Sequence, residues 1–377
     1  MGIGDFRQSP WGRGLPGAII AGAGILAPLF WPGLSSAYAA DSRCPIVMLA
    51  PLSGSTPVSV IRELPDNQVM LAGKAAGSQG RDALAEDFDE AKLAPFWDQG
   101  KWMEANSFAL TSAGVKSGYR ALLLTVHQGD KEQYIEDFAT GYRRCTERAE
   151  LGEAEAYWPK LGDDLWYGFA VNLPATLPVI DRRLVLAQIK QAGKKATDAV
   201  QGNADGYPVL ALRLRQIKAS NTLCLYLTAG NDIINDRNKP LAIVQLNRDQ
   251  TVGSWHNIVL HARLSHGKST ESAADWWFDD QPVPHLTTKP IAIGYKQGGD
   301  FSYFKLGLYR DQAIRGSGEV DQDWTIAYDA IKRAVDFPGR DGPAIDQQSV
   351  SPAAIDPPLS LLETSACRAA LGVASLK

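Results

Sequence analysis

The stretch Tyr303-Phe304-Lys305-Leu306-Gly307-Leu308-Tyr309-Arg310 alternates apolar and polar residues with a period of two. On an extended strand that spacing sends Phe304, Leu306 and Leu308 to one face and Lys305 and Tyr309 to the other. Gly307 stands between the two polar residues, where a position without a side chain would let a ligand approach the sheet. A strand that is apolar on one side and carries an ammonium and a phenol on the other reads as a sandwich strand with a working outer face.

Runs of the same kind recur on both sides of it, from about residue 86 to 335. They include Arg120 to His127, Trp166 to Leu173, Leu184 to Lys190, Val209 to Arg215, Leu223 to Thr228, Leu241 to Leu246, His256 to Leu264 and Trp324 to Tyr328. Gly, Pro, Asn and Asp separate them. This predicts an all-β chain, a sandwich or jelly roll of two antiparallel sheets with short peripheral helices. The helical candidates are Lys131 to Thr140 and Tyr328 to Val335, and Asp279-Asp280 reads as a hairpin turn. Residues 86–335 are expected to form one domain. Residues 40–85 would be an N-terminal extension packing on or joining it. Residues 336–377, with Pro338, Pro343, Pro352, Pro357 and Pro358, would be a C-terminal strap.

Arg7 and Arg13 precede a stretch with no charged residue before Asp41, and Ala37-Tyr38-Ala39 has the small-x-small pattern of a cleavage site. Residues 1–39 therefore read as a signal peptide, and the mature chain as secreted or periplasmic with no stable membrane insertion. Of 38 basic and 42 acidic residues in the chain, this leader holds Arg7, Arg13 and Asp5. The remainder is mildly acidic, which argues against a nucleic-acid partner yet leaves room for a locally basic cleft. The four cysteines, Cys44, Cys145, Cys224 and Cys367, lack metal-type spacing. One or two disulfides are expected after export; Cys44 with Cys367, tying the termini, is slightly favoured among the three pairings.

Several runs carry candidate chemistry on one face. In Leu184-Val-Leu-Ala-Gln188-Ile-Lys190, Gln188 and Lys190 alternate with Val185, Ala187 and Ile189. Arg148 and Glu150 share a face, as do Arg213 and Arg215, and guanidinium forks suit the carboxylate of a uronic acid. Trp158, Trp166, Trp276 and Trp277 are candidates for stacking on sugars or for the core.

The ordered set Gly118 to Asp130, Glu147-Arg-Ala-Glu-Leu151, Asp164 to Pro174, Leu186-Ala-Gln-Ile-Lys190, Pro208 to Arg213 and Tyr303 to Arg310 resembles the polysaccharide lyases that include heparin lyase I and glucuronan lyase. The resemblance implies a concanavalin A-like jelly roll acting on an acidic polysaccharide by β-elimination, with no cofactor needed for chemistry and with a structural calcium in many members. It makes Tyr309 the catalytic tyrosine, Lys305 its basic neighbour, Gln188 the amide on the uronate, and Arg148 and Lys190 further partners of the developing charge. From their placement on the strand faces, Glu150, Arg213 and Arg215 are expected to be substrate-binding residues. Where some members have Gln-x-His, this chain has Gln188-Ile189-Lys190, which touches the histidine-dependent part of the chemistry. For calcium the resemblance points to Asp329; read from the residues alone, Asp329 is a capping or turn aspartate. A monomer is expected.

The alternative function is a non-catalytic carbohydrate-binding protein on the same fold. A glycoside hydrolase lacks its Glu-x-Asp-x-x-Glu run here, and a serine hydrolase its Gly-x-Ser-x-Gly elbow.

Overall fold

The computed structural model describes residues 83–90, 92–98, 103–131, 133–137, 142–180, 182–192, 208–231, 240–296, 299–312, 322–336, 345–352 and 361–373. The leader read at 1–39, most of the 40–85 extension and Cys44 lie outside the described residues. Two antiparallel sheets face each other as a jelly-roll sandwich. The first runs from edge to edge through Gln281–Pro282 (β14), Ala273–Phe278 (β13), Trp255–Arg263 (β12), Asp164–Asn172 (β7), Trp324–Asp336 (β16), Ala121–Val126 (β4) and Phe108–Thr111 (β3). Ala83–Glu86 (β1) also pairs with β16. The second runs through Pro240–Asn247 (β11), Thr222–Ala229 (β10), Leu210–Gln216 (β9), Leu184–Ala192 (β8), Phe301–Asp311 (β15), Tyr142–Glu153 (β6) and Trp97–Asp98 (β2), with Gln133–Asp137 (β5) also on β6. The helices are single turns or little more: a 3-10 turn at Glu155–Tyr157, then Arg248–Thr251 (α1), Gln347–Val350 (α2) and Ser365–Ala370 (α3).

The core lies between the sheets, where Phe304, Leu306 and Leu308 of β15 meet Tyr167, Phe169 and Tyr328 from the opposite layer. The Tyr167 and Phe304 rings stack at 4.2 Å. Each such side chain contributes roughly 1.5–3 kcal/mol through burial. Glu153, at the end of β6, also points inward. Its carboxylate meets Arg333 of β16 at 2.9 Å, accepts the Tyr167 hydroxyl at 2.9 Å and accepts the Phe304 amide at 2.9 Å. One buried acid thus joins both sheets. Burial pushes its pKa up, and Arg333 with the hydrogen bonds pulls the other way.

Three expectations are corrected. The segments read as helical at Lys131 to Thr140 and Tyr328 to Val335 form strands where described, β5 and the second half of β16. In β16 the cause is a bulge between Asp329 and Lys332, with Ala330 at φ 50°. The extra residue puts Tyr328, Ile331 and Val335 into the core, a spacing that mimics a helix. A bulge between Val185 and Ala187 likewise breaks the alternation read in β8: Leu186 and Ala187 both reach the core, while Val185 joins Tyr309 and Ala211 on the outer face. Finally, Cys367 is bonded to Cys224 rather than to Cys44, and Cys145 is disulfide-bonded as well. The Asp279-Asp280 turn is as read, with both residues at positive φ between β13 and β14.

The C-terminal segments cover both outer faces. Residues 345–352 lie on the first sheet, with Val350 seated among Trp166, Val259 and Ala334. A Cβ on Gly168 would come within 1.8 Å of the Val350 carbonyl oxygen, so only glycine admits this contact. On the second sheet α3 packs over Cys224, Tyr226 and Ile243 through the Cys224–Cys367 bridge. The first sheet's outer face also holds His261, whose ring nitrogens lie 3.0 Å from Asp275 and 2.8 Å from Asp164 and whose ring stacks on Trp166. Among the described residues no helix is long and apolar enough to cross a membrane.

Two outcomes are expected. Glu153→Ala, which strands the Arg333 guanidinium in the interior, should lower unfolding free energy by about 3–5 kcal/mol in urea titrations. For His261, partial burial lowers the pKa but the Asp275 and Asp164 hydrogen bonds more than offset it, leaving it raised. The folded state therefore holds the proton more tightly than the unfolded chain. That stabilisation is complete below the unfolded pKa of about 6.5 and is lost as pH rises through the higher folded value. Stability measured from pH 6 upward should fall less steeply in His261→Gln than in the parent.

Candidate active site

On the outer face of the second sheet, pairing register decides which polar side chains meet. Tyr309 of β15 lies opposite Arg148 on β6 and Val185 on β8, Lys305 opposite Gln188, and Tyr303 opposite Lys190. One strand further on, Val185 lies opposite Arg213 of β9. Strands stand about 4.8 Å apart, so this row gathers its groups within the span of a few sugar residues.

At the centre is Glu150. It is buried and receives hydrogen bonds from the Lys305 ammonium on one oxygen and the Gln188 amide on the other. A carboxylate can only accept, so it fixes which end of the Gln188 amide turns toward it and leaves the second N–H of that nitrogen for another partner. Lys305 is fully buried. Desolvation lowers its pKa to about 7, with Arg148 and Lys190 adding to the effect and Glu150 opposing it. Glu150 and Lys305 therefore act beneath the surface, as an internal pair that orients Gln188.

Two arginines stand against the Tyr309 ring. The Arg148 guanidinium carbon lies 4.5 Å from the ring centroid and that of Arg183 4.7 Å. Arg183, the residue just before β8, is gripped by Asp311 in a two-pronged contact, Nη2 to Oδ1 at 2.7 Å and Nε to Oδ2 at 3.2 Å. Tyr309 is largely buried, with 7 % of its surface exposed, and Arg148, Arg183 and Lys190 on this face are half-buried. Near Lys190, Tyr303 stacks on Trp158 at 4.9 Å.

Of the residues read from sequence, Arg148, Glu150, Gln188, Lys190, Arg213, Lys305 and Tyr309 share this face. Arg213 is buried, and Arg215, opposite Cys224, is exposed toward the α3 end. Two readings change. Lys305 is the partner of Glu150, and the phenol's cationic neighbours are arginines. Gly307 is not a gap for ligand: it lies at a bulge with φ 136°, and a Cβ there would strike the Ala149 carbonyl at 2.3 Å and Leu124 at 2.9 Å. Arg183 and Asp311 were missed, because a lone arginine before a strand and an aspartate after one carry no spacing signal. Trp276 is core, whereas Trp166 and Trp277 stand on the other sheet.

Asp329 is buried, and its oxygens accept the backbone N–H groups of Lys116, Ser117 and Ala330 at 2.7–2.9 Å. Those bonds fasten the loop at Lys116 and Ser117 to β16. Among the described residues no group of three or more Asp, Glu, His or Cys side chains could hold a metal ion.

The sequence profile described as polysaccharide lyase matches residues 88–332, more than half of the chain. The chain belongs to the polysaccharide lyase family. No curated protein matches it. Among solved structures, endo-β-1,4-glucuronan lyase from the fungus Trichoderma reesei is similar at 18 % identity and a TM-score of 0.46, over 73 % of this chain and all of that one. Alginate lyase AlgAT5 of polysaccharide lyase family 7 is similar at 14 % and 0.37, over 63 % and 85 %. Alginate lyase Aly36B is similar at 11 % and 0.37, over 67 % and 96 %. These likenesses are too distant to bear on substrate; the family assignment rests on the profile.

The internal pair makes a sharp stability test. Glu150→Gln or Lys305→Met alone should each cost about 3–5 kcal/mol, by leaving one buried charge without its partner. The double variant should cost much less than the sum, as read from a double-mutant cycle in denaturant.

Proposed function

We propose that this polysaccharide lyase cleaves a uronic-acid-containing polysaccharide by β-elimination, with Tyr309 as the proton-transferring group. The observation that carries the reading is the convergence of Tyr309, Arg148, Gln188 and Lys190 on one face of one sheet, ordered by the pairing register. Removing the proton at C5 of a uronate drives negative charge onto its carboxylate. Arg148 can neutralise it with a fork, and Lys190 and the free N–H of Gln188 add fixed donors where the charge develops.

Tyr309 takes the C5 proton as phenolate. The C5–H pair becomes the C4–C5 double bond, the C4–O4 bond breaks, and the phenol returns a proton to the departing O4. One residue serving both steps from one side of the ring gives a syn elimination. Such a route uses no histidine, so Lys190 in place of the histidine of Gln-x-His is compatible with it. Its role becomes that of a cation near the carboxylate. The Trp158–Tyr303 stack beside Lys190 offers an aromatic wall for a neighbouring sugar ring.

Export is part of the same reading, supported by the basic and apolar leader at 1–39. A chain secreted or held in a periplasm would meet its polymer outside the cytoplasm, and fractionation of expressing cells checks this.

The decisive assay is formation of ultraviolet-absorbing unsaturated ends on a panel of glucuronan, alginate, heparin-like and pectic substrates. At least one should be cleaved, and Tyr309→Phe should lower the rate by about 100-fold or more while binding persists. Activity surviving in that variant would refute the role of Tyr309. Binding without unsaturated product in the parent would leave the non-catalytic reading.

A further inference from the structure

Tyr309 does not stand alone on its face. From β6 it is met by Arg148, with Glu150 further along; from β8, by Arg183 at the strand's start; and across Val185, by Arg213 of β9. Its own strand contributes Lys305, committed to Glu150, and Asp311, committed to Arg183. Of the two arginines at the ring, Arg148 already has a use: in the reading above it belongs to the substrate carboxylate. Arg183 has none.

Its geometry is that of a fixed support. Asp311 holds the guanidinium by two hydrogen bonds, and the Asp311 backbone N–H closes the loop onto the Arg183 carbonyl at 3.2 Å. The side chains of Arg183 and Asp311 are largely buried, at 13 % and 17 % exposure, so solvent screens the contact weakly. The guanidinium also overlies the Tyr309 ring, its carbon 4.7 Å from the ring centroid. Tyr309, Arg183 and Asp311 thus form a connected set, with Asp311 two residues after Tyr309 on the same strand and holding the guanidinium against its ring. A cation so placed favours the anionic form of the phenol over the neutral one.

We infer that Arg183, locked by Asp311, is the positioning residue that sets the ionisation and orientation of Tyr309, while Arg148 serves the substrate. The inference rests on the proposed role of Tyr309, but it makes a claim of its own: the phenol's titration depends on Arg183 whether or not substrate is turned over.

The test is therefore spectroscopic first. The phenolate absorbance of Tyr309 is isolated by subtracting the ultraviolet pH titration of Tyr309→Phe from that of the parent, and the same difference is measured in the Arg183→Met background. Loss of the neighbouring charge should move the isolated titration upward by about 1–3 pH units. Asp311→Asn, which loosens the fork but keeps the guanidinium, should also move it, by less. Near-ultraviolet circular dichroism identifies the folded variants, and Arg183→Lys provides a second replacement that retains charge without the fork. In kinetics the acid limb of kcat/KM should shift by the same amount, with activity recovering at high pH. A titration unmoved in Arg183→Met and Asp311→Asn, with activity merely scaled down at every pH, would overturn the inference while leaving the role of Tyr309 intact. Full activity in Tyr309→Phe would instead remove that role and leave the titration result standing by itself.

Discussion

Strand β6 carries Glu147, Glu150 and Glu153 into buried positions, and each is met there by a cation from another strand. Glu147 pairs with Arg310 at 2.7 Å, Glu150 with Lys305, and Glu153 with Arg333. Buried pairs of this kind add little net stability, since desolvation consumes most of the attraction. Their effect is on register. Slipping β15 by one residue against β6 would invert every side chain on it and separate two of the three pairs at once. The alignment of the outer face, and with it everything placed around Tyr309, follows from that penalty.

The site inherits its order from the middle pair. Because Glu150 lies on the outward side of β6 and the other two lie inward, the strand that locks the interior also supplies the anchor for Gln188. The polar face is thus continuous with the packing of the core. Groups that would contact a sugar sit on the strands, while Glu150, Lys305 and Asp311 hold them from below or from the side, an arrangement that fixes donors before substrate arrives.

Much of this was legible in the sequence because strand periodicity is a local signal. The apolar face of β15 and the polar companions on β6 and β8 follow from alternation alone, and the order of the runs carried the family. Reading failed where the chain departs from strict alternation. The bulges in β8 and β16 each insert one residue, which in β16 imitates a helix and in β8 moves Val185 to the outer face. It failed again for contacts made by residues without a pattern, such as Arg183 with Asp311 and Cys224 with Cys367, since only the fold brings positions 128 and 143 apart in sequence together.

The two C-terminal segments give the molecule a direction in time. Val350 completes the outer side of one sheet, and α3, bolted through Cys367, completes that of the other. A polypeptide emerging from a ribosome or a secretion pore has every strand available before either cover exists. Until the last cysteine arrives, Cys224 lacks its native partner and the Cys224 and Tyr226 face lacks its cover. A chain ended before residue 345 would leave both apolar patches open to water, the kind of exposed surface through which incompletely folded chains associate.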